Sequence, residues 1–125
     1  MSHFSKIKTS IYNLKTLKKT LEDLGFLCDF NQNCIRNSNF CESVNFVAIN
    51  SHQTLGFYWN GLEYDLVADA ELWPANTSIN SFLEKLKQHY AINTIVDKST
   101  NDGFSLVRAQ SDIDGSVKLL IQKWN

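Results

Sequence analysis

The chain has 125 residues, of which 43% are hydrophobic, 12% aromatic and 20% charged, and its net charge is -1. This composition excludes intrinsic disorder, collagen-like repeats and coiled coils. The near-zero charge gives no global sign of a nucleic-acid or membrane-surface partner. A chain of this length can bury roughly two-thirds of its unfolded surface, so we expect a single domain over residues 1–125.

The first elements are a strand over residues 2–9 and an amphipathic helix. Asn13 is a favoured N-cap, and Gly25 stands where a left-handed residue ends a helix. Between them the leucines recur at spacings of three and four, which predicts a buried stripe. The stripe consists of Leu14, Leu17, Leu21 and Leu24, and the exposed face carries Lys15, Lys18 and Lys19.

A second strand follows, with Phe26, Cys28 and Phe30 on one face. The next segment, residues 31–43, is rich in Asn and Ser and is predicted to be a long loop. Loops of this length in compact domains are often functional or mobile.

The three cysteines are Cys28, Cys34 and Cys41. Their number is odd and none forms the short Cys-x2–4-Cys pair of zinc sites. We therefore expect buried free thiols, with a redox or metal role for the segment between Cys28 and Cys41 as the alternative.

A third strand over residues 44–50 precedes a hairpin at Asn60-Gly61, a favoured dipeptide for a two-residue turn. Such a turn places Trp59 opposite Leu62, Phe57 opposite Tyr64 and Leu55 opposite Leu66. The other face of the second hairpin strand carries an acidic row, which consists of Glu63, Asp65, Asp69 and Glu71.

The segment 76–78 can cap a second helix that ends between Val96 and Asp102. Its predicted buried stripe is Ile79, Phe82, Leu83, Leu86 and Tyr90, and it continues less cleanly to Ile95 and Val96. A final hairpin over residues 104–124 turns at residues 113–115, with Gly115 in a bulge. This loop pairs Val117 with Ser111, Leu119 with Ala109 and Ile121 with Val107.

The predicted order is β-α-β-β-β-β-α-β-β. It indicates an α+β fold with a mostly antiparallel sheet and two helices on one face. The opening strand-helix-strand unit is ferredoxin-like by analogy.

The acidic row is the best local candidate for a metal or acid-base site, because neighbouring carboxylates raise one another's pKa. A metal-dependent enzyme would combine this row with His3 or His89. The alternative interpretation is a solvated sheet face. No cofactor is predicted, since the chain has no Gly-rich phosphate loop and no His-Glu-x-x-His motif.

Charge is unevenly distributed along the chain. Residues 1–20 carry five lysines and no acidic residue, whereas residues 22–84 carry nine acidic residues and one arginine, Arg36. Such a molecule can dock on a charged partner or pair its own charges internally. RNA binding is a further possibility, although Tyr58 alone falls short of an aromatic stacking platform.

Five segments carry a resemblance to a known family: residues 1–9, 23–26, 60–69, 82–91 and 114–124. The opening segment, its most specific part, reads Met1-Ser2-His3-Phe4-Ser5-Lys6-Ile7-Lys8-Thr9. The chain resembles the hypothetical chloroplast reading frame thirty-five family, the domain of unknown function twelve fifty-seven, over nearly its full length. The resemblance implies a plastid-encoded plastid protein and supplies no catalytic residues.

The resemblance and the absence of catalytic motifs favour a small, soluble, non-enzymatic interaction or regulatory module, with a protein partner in the plastid stroma. Photosynthetic complexes are the partners that such a location favours. The chain start lacks the apolar core of a secretory signal and the arginines of a transit peptide. No span or cofactor is expected, and the oligomeric state stays open.

Overall fold

A computed structural model describes residues 4–37, 40–69, 73, 78–101, 104–111 and 117–123. Its helices and strands are β1 (Phe4–Ile11), α1 (Leu14–Asp23), β2 (Leu27–Asp29), β3 (Cys34–Asn37), β4 (Phe40–Ser43), β5 (Phe46–Ile49), β6 (Thr54–Trp59), β7 (Tyr64–Asp69), α2 (Ile79–Asn101), β8 (Phe104–Ser111) and β9 (Val117–Lys123). Neither helix in these ranges combines the length and the apolar character needed to cross a membrane.

The main sheet has five strands in the order β1-β7-β6-β5-β2, and every neighbouring pair is antiparallel. Two-stranded sheets are formed by β3 with β4 and by β8 with β9. The predicted α+β class is confirmed, and the predicted elements occur in the predicted order, with β3 and β4 as two further strands. Since β1 and β2 lie at opposite edges, the opening unit joins the two edges of the sheet, and the ferredoxin-like analogy does not extend to the strand order.

The prediction of a long loop over residues 31–43 is wrong, because β3 and β4 form a hairpin there. Cys34 pairs with Ser43, and Asn37 pairs with Phe40. The segment was misassigned because only Ile35 in its first strand is a large apolar residue, so the alternation that marks a half-buried strand is missing.

Helix α1 begins and ends where the sequence predicts. The Asn13 side-chain oxygen accepts a hydrogen bond from the Thr16 backbone N–H at 3.1 Å, and Gly25 has a φ of 92°. Leu17 and Leu21 are fully buried, but Leu14 is 39% exposed. Thr16 and Thr20 share the buried face instead, which rotates the stripe so that Leu14 lies at its margin.

Helix α2 is also confirmed, with an end inside the predicted interval. Ser78 caps its first turn by accepting the Ser81 N–H at 3.0 Å. Phe82, Leu83 and Leu86 are buried against the sheet. Towards the end of α2 the apolar stripe is less regular, as expected, since Ile95 is 40% exposed.

A polar contact replaces the apolar stripe between the two helices. The Asn93 amide, which is 9% exposed, donates to Thr20 Oγ1 at 2.9 Å and to Asp23 Oδ2 at 3.1 Å. This side chain therefore fixes the second half of α2 against α1.

The register predicted for the β6–β7 hairpin is wrong by two residues. Trp59 pairs with Tyr64 and Phe57 with Leu66, so that residues 60–63 form the loop. Asn60 stabilises this wider turn, because its Oδ1 accepts the Leu62 and Glu63 N–H groups at 2.9 and 3.0 Å. A shift of two keeps every side chain on its predicted face.

The register predicted for the last hairpin holds near its turn. Ser111 pairs with Val117 and Ala109 with Leu119, whereas Ile121 pairs with Leu106 because of a bulge between Leu106 and Arg108. The predicted loop with Gly115 lies outside the described residues.

The two faces of the main sheet are covered by different layers. Both helices cover one face, as predicted, and the β3–β4 hairpin covers part of the other, which we call the hairpin face. On the hairpin face Ile35 and Val44 pack with Val47 and Val67 of the main sheet.

Candidate functional site

A cleft of about 590 Å³ lies on the hairpin face, between β3 and the turn that joins β5 to β6. Its apolar lining is Phe4, Ile35 and Trp73, and its polar lining includes Gln32, Cys34, Arg36, Asn50, His52, Gln53 and Asp69. The volume falls within the range of small-ligand and side-chain pockets in proteins.

The β5–β6 turn forms one wall of the cleft and is rigidified by Asn50. The Asn50 side-chain oxygen accepts the His52 and Gln53 N–H groups at 2.8 and 2.7 Å. The Asn50 N–H donates to the Gln53 carbonyl at 3.0 Å. This local network holds the exposed His52 at the rim of the cleft.

A second turn positions Gln32 on the neighbouring wall. The Asp29 carboxylate accepts the Asn31 N–H at 2.9 Å and the Gln32 side-chain amide at 2.9 Å. These two hydrogen bonds favour the ionised carboxylate and hold the pKa of Asp29 below its usual range.

Asp69 and Trp73 also line the cleft. Asp69, at the end of β7, is 5% exposed. The Trp73 ring makes an edge-to-face contact with Phe82, with their centroids 5.6 Å apart. The Trp73 Nε1 is the buried side-chain polar atom that has no hydrogen-bond partner among the described residues. Buried donors in proteins are generally paired, and the Nε1 group has a proton to donate to an acceptor.

Arg36 supplies positive charge at the rim. Its side chain is exposed, and it forms no ion pair within the described part of the chain. A guanidinium presents several donors in a planar fork that matches a carboxylate. The rim can therefore bind an anionic group next to an apolar lining.

The reactive side chains of the cleft do not converge on a single point. Cys34, His52 and Asp69 all line it. Within residues 4–37, 40–69 and the other described ranges, no three His, Cys, Asp or Glu side chains lie close enough together to hold a metal ion.

The structure separates the members of the acidic row. Glu63 lies in the β6–β7 turn, and Asp65 accepts a hydrogen bond from the Asn60 amide at 3.0 Å. Asp69 is buried beside the cleft, and Glu71 lies outside the described residues. The alternative of a solvated face is wrong at this end of β7, because Val67 is fully buried there.

The histidines proposed to accompany the acidic row are not brought to it. His89 is half-buried on α2, on the helix-covered side of the sheet, with its Nδ1 3.3 Å from the Lys85 carbonyl. His3 lies outside the described residues. His52 is the histidine that shares a cleft with Asp69.

The predicted lysine face of α1 is exposed, and two of its charges are paired within the helix. Lys18 lies 3.8 Å from Glu22, and Lys19 lies 3.8 Å from Asp23. Lys15 forms no ion pair among the described residues. Within the described part of the chain, Lys18 and Lys19 therefore pair with acids of their own helix and not with the acidic row.

The cysteines are free thiols, as expected, but they are not all buried. Cys28 and Cys34 are half-buried, and Cys41 is exposed. Burial raises the pKa of the Cys28 thiol to about 11.

Sequence reasoning did not identify the cleft residues as a group. The sequence marks Arg36 only as the single arginine of the acidic middle of the chain, and it gives His52 no role. Asn50 carried a usable signal. An Asn side chain often caps a turn by accepting the backbone N–H groups two or three residues further along the chain.

The fold and the cleft together define a small α+β protein whose main sheet is covered on both faces, with a mixed polar and apolar cleft beside the β3–β4 hairpin. Comparison with known proteins gives its family. The family model described as protein of unknown function DUF1257 matches residues 20–120. The chain belongs to this family.

Curated relatives cover the whole chain. It is 39% identical over 127 residues to the uncharacterized protein ycf35 of Pyropia yezoensis, with 100% of this chain and 99% of the relative covered. It is 38% identical to the protein of that name from Guillardia theta, with 99% and 98% covered. The corresponding identity with Cyanophora paradoxa is 34%, with 99% and 98% covered. No solved structure matches the chain.

Proposed function

We propose that this protein is a non-enzymatic interaction or regulatory module of the plastid stroma. In this proposal the cleft on the hairpin face receives a carboxylate-bearing segment of a partner protein. Arg36 pairs with the carboxylate at the rim, and the apolar lining accepts the adjoining side chain.

The observation that carries this proposal is a cleft lined by both Arg36 and Trp73. Among the described residues, Arg36 forms no ion pair and Trp73 Nε1 has no hydrogen-bond partner. Both groups are donors, and a carboxylate or a backbone carbonyl is an acceptor for each. Hydrogen bonds to charged groups contribute about 1.5–3 kcal/mol, more than those between neutral groups.

The proposed setting rests on the relatives. Their name, ycf35, stands for hypothetical chloroplast reading frame 35 and supports plastid encoding. Photosynthetic complexes are the proposed class of partner because they are the principal assemblies that a plastid-encoded protein encounters.

The test is recovery of the tagged protein from plastid extract, followed by titration of the purified protein against each recovered partner. We expect Arg36→Ala to weaken binding by roughly tenfold to a hundredfold, as loss of a charged hydrogen bond predicts. Lys15→Ala is the matched control, since it removes the same charge from an exposed side chain on the other side of the sheet.

If Arg36→Ala and Lys15→Ala bound the partner with equal affinity, or if repeated recovery returned no protein partner, the proposal would be wrong. The same eluates are assayed for metals and nucleic acid. Stoichiometric divalent metal would favour the metal-dependent enzyme that uses the acidic row. Nucleic acid with steeply salt-dependent affinity would favour an RNA-binding module.

A further inference from the structure

The outer face of the β3–β4 hairpin brings two cysteines together. Cys34 pairs with Ser43, and Cys41 pairs with Arg36, so the two cysteines are diagonal neighbours across an antiparallel ladder. Diagonal neighbours share a face and lie about 7–8 Å apart at their backbones. The hydrogen bond of Cys41 with the Cys34 side chain raises the pKa of the Cys41 thiol, in keeping with this diagonal placement.

This pair faces away from the main sheet. On the inner face of the hairpin, Ile35 is 5% exposed and Glu42 forms an ion pair with Lys6 of β1 at 2.8 Å. Side chains alternate along a strand, so Cys34 and Cys41 occupy the opposite, outer face. The exposed Cys41 makes the pair accessible to small thiol reagents.

The third cysteine is held apart from this pair. Cys28 lies on β2 and packs against the core beneath the helices, so the main sheet separates it from the outer face of the hairpin. The chain therefore contains one contacting thiol pair and one isolated thiol.

We infer that Cys34 and Cys41 are a modification site that forms an intrachain disulfide by exchange with a small disulfide such as oxidised glutathione. The Cys41 sulfur, having released its proton to solvent, attacks glutathione disulfide and expels one glutathione thiolate. Cys34 then releases its proton and attacks Cys41 Sγ, which forms the protein disulfide and expels the second thiolate. The two cysteines are oxidised, and one glutathione disulfide is reduced to two thiols, which take up the two released protons.

The hairpin can accommodate this bond. Disulfides span Cα separations of about 4.4–6.8 Å, so the strands must approach slightly as the bond forms. Among the described residues, β3 and β4 pair only with each other in their sheet. A two-stranded ribbon has no further strand that opposes such a movement.

The test equilibrates the purified full chain in glutathione buffers of increasing oxidised fraction, then acid-quenches, unfolds and alkylates it. In wild type we expect the count of alkylated cysteines to fall from three to one, with a Cys34–Cys41 linked peptide by mass spectrometry. Cys28→Ala is the matched control and should fall from two to none. Cys34→Ser and Cys41→Ser should form no intrachain disulfide.

Circular dichroism and unfolding midpoints of the serine variants are measured in parallel, and we expect both to match wild type. Stable glutathione adducts without a cross-link, covalent dimers, or a disulfide that includes Cys28 would overturn the inference. The thiol count requires no partner protein, so its failure would leave the proposed function standing.

Discussion

At Gly56 the hairpin layer and the main sheet approach each other so closely that a side chain has no room. A Cβ built on Gly56 would lie 2.5 Å from Cγ1 of Val44 and 3.4 Å from Cβ of Val67. Val44 is itself 5% exposed and packs in the core beneath the hairpin. The glycine inside a strand is thus explained by close packing between layers.

We expect Gly56→Ala to lower the free energy of unfolding by about 1–3 kcal/mol, the usual cost of overpacking. Urea unfolding of the single and double variants tests the cause. In a Val44→Ala background the clashing Cγ1 is gone, so Gly56→Ala should become neutral or stabilising. An equal loss of stability in both backgrounds would show that the contact with Val44 does not cause the destabilisation by Gly56→Ala.

Cys28 makes the stability of the fold depend on alkaline pH. Burial raises the pKa of this thiol from its ordinary value of 9.0 to about 11, with a smaller contribution from Glu22. Between these values the unfolded chain has lost the proton and the folded chain retains it. The contribution of the thiol to the free energy of unfolding is therefore complete below pH 9, and it is lost as the pH rises through 11.

We expect the free energy of unfolding to decline more steeply from pH 9 to 11 in wild type than in Cys28→Ala. Tyrosines and lysines titrate in the same interval, but they do so in both proteins, so the difference between the two curves isolates the thiol. Parallel curves would mean that the folded protein leaves the Cys28 pKa unchanged.

At the scale of elements, the β6–β7 hairpin shows how one side chain selects a turn. The Asn60 amide group accepts two backbone N–H groups of the loop and donates to Asp65. Gly61, at a φ of 104°, takes the left-handed position that follows. Side-chain capping by Asn60 thus favours the wider loop over the two-residue turn that Asn-Gly otherwise favours.

Asn60→Ala should therefore destabilise the protein by about 1–2 kcal/mol, because the loop N–H groups lose their internal acceptor. The measurement is urea unfolding, with Leu62→Ala as a control in the same loop. The Leu62 side chain is 84% exposed, so its truncation should change stability by less than about 0.5 kcal/mol. Similar losses in the two variants would contradict a capping role for Asn60.

At the scale of the whole molecule, the question is what holds the β3–β4 hairpin on the main sheet. Ile35 buries its side chain there, and the Lys6–Glu42 ion pair lies beside it. The hydrogen bond and charge of Glu42 raise the pKa of Lys6. Both partners are substantially exposed, at 47% and 33% for their side chains, so water and salt weaken their attraction.

We expect Ile35→Ala to cost about 2–4 kcal/mol of stability and Glu42→Gln less than about 1 kcal/mol. Hydrogen exchange of the β3 and β4 amides should report faster opening in Ile35→Ala alone. A larger effect of Glu42→Gln, removed by added salt, would instead show that the ion pair holds the hairpin.

Local signals explain which features were predictable. The Asn13 cap, the Gly25 helix end and the buried leucines of α1 depend on residues within one or two turns of each other. The acidic row failed as a guide to a solvated face, because the layer that buries Val67 comes from a segment more than twenty positions away. Likewise, nothing near Arg36 or His52 in the chain indicates that they border one cleft.

The sequence by itself determined the α+β class, the two helices with their ends, the faces of the strands and the family. These follow from short-range periodicity, capping chemistry and the similarity of whole sequences. Only the tertiary structure decided the strand order, the wider β6–β7 loop, the second layer over the sheet and the cleft beside it. Each of these depends on contacts between distant segments, whose free energy outweighs local preference and leaves no periodic trace in the chain.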